Sequence, residues 1–221
     1  MNVVEAIKTR HSVRAFQDRA VSPEIITQIL EAARFAPSGV NTQPWHVAVL
    51  QGATLTQLGD EILQARAAQE PDDPDYHYYP DEWFEPFKTR RIACGKALYG
   101  ALGIDKRDTE RRLEQWNKNY QFFGAPVGLM IFIHQHLETG SWMDLGMFIN
   151  NIMLAAREFG LGTCPQAALA EHPNLVRRVL HITEPWSLAC GVALGYEDDN
   201  NPVNQYRTER EDVNRFTLWY D

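Results

Sequence analysis

Apolar residues in the first third of the chain fall on two helical faces and then on a strand. Val3, Val4, Ala6 and Ile7 form a stripe that predicts a short first helix, fraying where Thr9 to Ser12 turn polar. Ser22 suits an N-cap and Pro23 a first turn, and Ile25, Ile26, Ile29, Leu30 and Ala33 follow at three- and four-residue spacing, which predicts a second helix. It should stop before Pro37, which disfavours helical geometry at Ala36. Val47, Ala48, Val49 and Leu50 read as a buried strand, and residues 54–68 as a further helix.

The clearest strand is 127–133, a continuous apolar run that predicts helices on both faces of its sheet. Over 142–159 the apolar residues go most of the way round a helix, placing it centrally in a core or at a subunit interface. Gly160 and Gly162 close that helix, 171–180 reads as another, and 187–196 as a strand. Residues 71–91 are the least regular, with acidic turns among Tyr76, Tyr78, Tyr79, Trp83, Phe84 and Phe87. Two readings stand: rings packed down on the core, or an aromatic wall over a binding site. The tail ends in Phe216, Leu218, Trp219 and Tyr220, which implies that it packs back on its own domain or wraps a partner subunit.

With 221 residues, 44% of them apolar and 23% charged, the chain fits one domain over 1–221, with an aromatic-rich excursion at about 71–111 and a C-terminal extension at about 200–221. A net charge of -8 argues against nucleic-acid and acidic-membrane partners, so any bound anion needs a local cationic cluster. Cys94, Cys164 and Cys190 are odd in number and widely spaced, suggesting neither a disulfide framework nor a CxxC metal site. A reducing cytoplasm fits this usage. No apolar run follows a basic start, and no stretch is long enough for a membrane span.

The usual glycine-rich phosphate loops, GxGxxG and GxxxxGK[ST], are missing. There is no HExxH, and His134 and His136 read as a solvated strand end rather than a zinc pair, so no metal is expected. Ser38 lies outside any GxSxG context. Two stretches carry more. Arg10-His11-Ser12-Val13-Arg14 gathers cations and a hydroxyl at a helix end, an arrangement that can serve the helix dipole alone. Joined by Arg207 and Arg210 from the tail, it makes an arginine fork suited to a phosphate dianion. Ala36-Pro37-Ser38-Gly39-Val40-Asn41-Thr42-Gln43-Pro44-Trp45 is a loop dense in hydrogen-bonding groups that runs into a strand.

With Phe122-Phe123-Gly124-Ala125-Pro126, Gly160-Leu161-Gly162-Thr163-Cys164-Pro165-Gln166 and Arg207-Thr208-Glu209-Arg210, these landmarks make the chain resemble the nitroreductase family of FMN-dependent oxidoreductases over nearly its full length. The aromatic excursion makes it similar to the nitrobenzoate-reductase-like branch. The resemblance implies an α+β fold, with a mixed, mostly antiparallel sheet flanked by helices, in an intertwined homodimer holding two FMN sites at its interface. It implies that Arg10, Ser12 and a tail arginine, Arg210 in preference to Arg207, hold the FMN phosphate. His11 would lie along the flavin through its backbone, and Arg14 would sit near the pyrimidine edge, where a cation favours the reduced anion. Pro37, Ser38, Gly39, Asn41 and Gln43 would reach the cofactor from the other subunit, and Asn119 would meet the pyrimidine end. Pro165, Gln166, Ala167 and Ala168 would face the flavin, with a backbone N–H donating to N5. Some relatives carry Glu-Gly where this chain has Ala167-Ala168, so a glutamate side-chain role does not carry over.

The activity implied is ping-pong hydride transfer from NADH or NADPH, through FMN, to a nitroaromatic or similar electron-poor aromatic. No side-chain acid, base or nucleophile is required of the protein. Trp83 and Phe84 are the candidates for a substrate-stacking wall. Quinone or enone reduction, reductive dehalogenation, oxygen-dependent flavin breakdown and non-catalytic flavin binding stand as alternatives.

Overall fold

Four strands, β1 (Trp45–Gln51), β2 (Val127–His134), β3 (Gly162–Gln166) and β4 (Trp186–Gly195), form the sheet of the computed structural model, which describes residues 1–221. Their order is β1-β2-β4-β3, and every neighbouring pair is antiparallel. A single parallel bridge from Ser12 to Thr163 lays the segment after the first helix along the outer side of β3.

Strand β2 is buried from Val127 to Ile133 and feeds a core on each face, as its continuous apolar run predicts. The helices are α1 (Val3–Thr9), α2 (Pro23–Ala33), α3 (Gly52–Ala67), α4 (Phe87–Ala101), α5 (Thr109–Asn117), α6 (Thr139–Glu158), α7 (Pro173–Val179) and α8 (Pro202–Gln205). On one face, Leu129, Ile131 and Ile133 pack with Ile26 and Ile29 of α2 and Phe148 and Ile152 of α6. On the other, Met130 and Phe132 pack with Leu58 and Ile62 of α3 and Val176 of α7. Each such fully buried side chain contributes roughly 1.5–3 kcal/mol, so a polar residue at Ile131 would unseat one whole layer.

The second helix starts as its sequence dictates, with the Ser22 hydroxyl accepting from the Ile25 N–H. Other elements depart from expectation. Strand β3 escaped the pattern because it is short and carries Gly162 and Pro165; β4 is its only full-length neighbour and the bridge from Ser12 reaches only Thr163, so Pro165 is tolerated at the sheet edge. The excursion is irregular only to Pro86 and then forms α4 and α5; α4 buries no residue within the chain, so no apolar stripe announced it. The seventh helix begins at Pro173 rather than residue 171.

The apolar stripe of α1 does not cover its own chain, since only Ala6 is buried while Val3, Val4 and Ile7 are exposed. Met143 and Met147 of the neighbouring α6 are exposed too. The tail packs back as far as Glu211, which pairs with Arg90, but its end does not: Phe216, Leu218, Trp219 and Tyr220 are exposed, Trp219 to 82%. No helix is long and apolar enough to cross a membrane.

Candidate active site

The bridge between Ser12 and Thr163 fixes the basic segment against β3, and the Val13 N–H donates to the Thr163 carbonyl at 3.0 Å. The buried Cys164 thiol donates to the Pro165 carbonyl at 3.8 Å; burial raises its pKa, while nearby Arg14, Ser12 and Arg10 act to lower it. Burial, and after it the charge of Arg210 from the tail, hold the Arg10 guanidinium below its usual pKa. Arg10, Arg14 and Arg210 form no ion pair with any carboxylate. The fold thus brings two like charges near each other with no carboxylate paired to either.

The other basic residues divide by their partners. Arg14 donates to the Tyr206 hydroxyl at 2.9 Å, and its backbone N–H donates to Asn204 Oδ1 at 2.8 Å, so the tail positions it. Both tail arginines bond their own segment: Arg207 donates to the Asn204 and Tyr206 carbonyls at 2.6 and 2.8 Å, and Arg210 to the Thr208 carbonyl and hydroxyl at 3.1 and 2.7 Å and the Glu209 carbonyl at 3.0 Å, but Arg210 is the one whose charge reaches Arg10. The His11 ring is turned to Glu197, with Nε2 2.8 Å from Oε1, which leaves only its backbone for a cofactor.

A cleft of about 1050 Å³ opens beside this cluster. Arg14, Asn119, Pro165, Gln166, Ala167 and Ala168 line it, so the structure brings these expected site residues together. Gln166 Nε2 donates to the Asn119 carbonyl at 2.6 Å, while the buried Oε1 of the same amide has no partner. Strand β3 ends at Gln166 and the chain turns into a 3-10 helix over Ala167–Glu171, which gives the small Ala167, Ala168 and Ala170 to the cleft lining.

The opposite wall comes from the excursion: Tyr76, Tyr78, Tyr79 and Tyr99, with Trp116 of α5. Trp83 and Phe84 do not line the cleft. Trp83 stacks behind Tyr79, with centroids 5.4 Å apart, and lies under the Arg91 guanidinium, while Phe84 packs edge-on against Phe87. On the cleft lining their place is taken by Tyr76, Tyr78 and Tyr79. Arg91, Lys96, Lys106 and Arg112 join Arg14 on the lining, against Asp105 and Glu171, giving a cationic surface in a chain of net charge -8. The signal for Tyr99, Lys96, Arg112 and Trp116 was the mixture of basic and aromatic residues through α4 and α5, legible only once these helices are known to face the cleft.

The loop holding Pro37, Ser38, Gly39, Asn41 and Gln43 stands apart from this cleft within the single chain. It is tied to α6 by the Gly39 N–H, which donates to Asp144 Oδ2 at 3.0 Å, and internally by the Gln43 N–H to Ser38 Oγ at 3.0 Å. Val40, Asn41 and Gln43 adopt φ of 46°, 59° and 49°, a left-handed conformation that is strained for the β-branched Val40 in particular.

The sequence matches the Nitroreductase family over residues 7–196, and the chain belongs to that family. It is 38% identical over 211 residues to a 4-nitrobenzoate reductase of Pseudomonas putida, covering 96% of this chain and 92% of the relative. Its structure is similar to that of the FMN and NADPH-dependent nitroreductase NfnB from sphigopyxis sp. strain HMH, with TM-score 0.96, 35% identity and full coverage of both chains. It is also similar to the FMN-dependent nitroreductase NfnB from Mycobacterium smegmatis, solved in complex with NADPH, with TM-score 0.94, 33% identity, and 99% of this chain and 97% of that one covered.

Proposed function

We propose that the protein is an NAD(P)H-dependent FMN nitroreductase acting on nitroaromatic or related electron-poor aromatic substrates. The observation that carries the reading is the pair of guanidinium groups without a carboxylate partner, Arg10 and Arg210, in the basic segment whose Arg14 lines an aromatic-walled cleft. This chain's residues fit FMN: the paired arginines and Ser12 suit a phosphate dianion, and the unpaired Gln166 Oε1 is an acceptor awaiting a donor. Bound there, the flavin would supply two-electron hydride chemistry at its N5.

In this reading Arg10, Ser12 and Arg210 grip the phosphate and Arg14, held by Tyr206, places a fixed positive charge beside the ring system. Asn119, Gln166 and the backbone of Pro165, Ala167 and Ala168 orient the cofactor along one wall of the cleft. The tyrosine wall stacks a planar donor or acceptor and keeps water off it, and the cationic lining favours anionic ligands such as dinucleotide phosphates or an aromatic carboxylate. The working unit is a homodimer, in which the partner's copy of the 37–43 loop completes each site. The exposed apolar residues of α1, α6 and the tail support that assembly. A cytoplasmic setting goes with the use of pyridine nucleotides.

The test is anaerobic. NADPH or NADH should bleach the yellow holoprotein within seconds, and the reduced protein should then be reoxidised in stopped flow by 4-nitrobenzoate faster than by a quinone, an iodophenol or oxygen. Flavin that neither nucleotide bleaches would make the protein a non-catalytic flavin binder. Slowest reoxidation by the nitroarene would remove the nitroreductase assignment and leave one of the other three chemistries.

A further inference from the structure

We propose that Asp72, Glu171 and His172 form a binding site for one zinc-type divalent metal ion that staples the root of the aromatic excursion to the turn behind the cleft. Asp72 lies in the irregular segment after α3, whereas Glu171 ends the 3-10 helix over Ala167–Glu171 and His172 precedes Pro173 of α7. Nearly a hundred residues separate them in sequence, yet one donor atom of each lies within 4.8 Å of the others. The backbone holds the two segments in register, because the Asp73 N–H donates to the Glu171 carbonyl at 3.0 Å.

The decisive group is the imidazole. His172 is 4% exposed, and its buried Nε2 has no hydrogen-bond partner. That nitrogen is directed at Asp72 Oδ1, 3.5 Å away. The separation is too long for a good hydrogen bond. It matches instead the edge of a tetrahedron of metal bonds of about 2.0–2.1 Å, which is about 3.4 Å. A buried polar nitrogen without a partner is rare in folded proteins, and a metal ion at this point removes the anomaly.

The donor set selects the ion. One imidazole nitrogen and two carboxylates suit zinc or a similar first-row divalent ion better than magnesium or calcium, which prefer oxygen alone. The Asp72 side chain is 52% exposed, so the site has an open side where water completes the coordination. Glu171 is oriented from behind, its Oε2 accepting from the Tyr120 hydroxyl at 2.7 Å with Arg66 at 3.6 Å, the outer support that metal-binding carboxylates commonly have. Glu171 and Pro74 both line the cleft, so the ion would brace one wall of it and take no part in hydride transfer. This inference does not depend on the identity of the cofactor or substrate.

The experiment uses the tag-free, flavin-loaded protein, stripped with chelator and returned to chelator-free buffer, and titrates it with zinc chloride by calorimetry alongside thermal melts. The expected result is one zinc per chain and a rise in Tm of several degrees. Asp72→Ala, at an exposed position that leaves the core intact, should bind zinc at least tenfold more weakly and lose the rise in Tm. His134 and His136, with rings 5.1 Å apart, are the competing zinc ligands, so the double variant His134→Gln, His136→Gln should retain both effects. No saturable binding by the parent protein, a loss of less than tenfold in Asp72→Ala, or loss of binding in the His134/His136 variant would each overturn the proposal.

Discussion

The Tyr76 hydroxyl donates to the Ala189 carbonyl at 2.5 Å, and Ala189 is the residue that the bulge in β4 leaves without a partner on β2. The register passes from Ile131 opposite Cys190 to Phe132 opposite Leu188, so the ladder skips Ala189 and the excursion supplies the missing donor. One hydrogen bond thus completes the sheet and anchors the aromatic wall, whose Tyr76 ring also packs 4.5 Å from that of Trp142. Tyr76→Phe keeps the ring and removes the donor. It should lower stability by about 1–3 kcal/mol, the cost of a stranded buried acceptor, and loosen the cleft wall. Urea unfolding measures the first effect and amide exchange over residues 72–79 the second; an unchanged midpoint would show that water replaces the hydroxyl.

Arg10 and Arg210 make the clamp testable in a way that separates ligand binding from folding. In the flavin-free protein they repel, so Arg10→Ala should be no less stable than its parent. With flavin present, loss of one charge-assisted partner should weaken binding by roughly 1.5–3 kcal/mol, about 10- to 100-fold. Fluorescence titration with FMN and parallel urea curves on both forms check the two halves. Unaltered FMN affinity would take Arg10 out of the clamp.

The legible parts of the molecule are those whose signal is local. The run Val127 to Ile133 is apolar at every position because both faces of β2 are covered, and Ser22-Pro23 marks a helix start by its own chemistry. The basic cluster and the Gly160 to Gln166 landmark were equally visible, since their motifs are contiguous. What stayed hidden depends on distant partners. Strand β3 exists because β4 and Ser12 pair with it, against the local preference of Gly162 and Pro165. Helix α4 has no apolar face to announce it because nothing in its own chain buries one. The candidates Trp83 and Phe84 fail for the same kind of reason: sequence marks the 71–91 segment as aromatic, and only the fold shows that Tyr76, Tyr78 and Tyr79 are the rings on the cleft.

Gly162 is where the sheet meets the basic segment. A Cβ there would lie 2.5 Å from Val13 Cγ2 and 3.1 Å from Val13 Cβ, and Val13 is almost fully buried. Gly162→Ala should therefore push Val13 outward, cost about 1–3 kcal/mol of stability by overpacking, and weaken FMN binding by displacing Ser12. Adding Val13→Ala should recover part of both losses, because the clash is with that side chain. A double-mutant cycle in stability and in flavin affinity checks this. Strict additivity would place the effect in β3 itself rather than in its contact with Val13.

Burial pushes the Cys190 thiol from 9.0 up to about 12, because the thiolate would have to form inside the core. The sign of the resulting pH dependence follows from proton counting. Below pH 9.0 folded and unfolded chains both keep the proton, and Cys190 contributes no slope. Between 9.0 and about 12 the unfolded chain releases a proton that the native chain retains, so stability falls as pH rises. The fall is at most about 1.4 kcal/mol per pH unit. Cys164 is also buried with a raised pKa, and Cys94 is exposed, so both must be held constant in the comparison. Cys190→Ala does this. Relative to that variant, the parent protein should lose about 1.4 kcal/mol between pH 8 and pH 10 in urea unfolding under reducing conditions. Parallel stability curves over that range would mean that water or a nearby dipole reaches Cys190 and that this side of the sheet is less dry than its packing indicates.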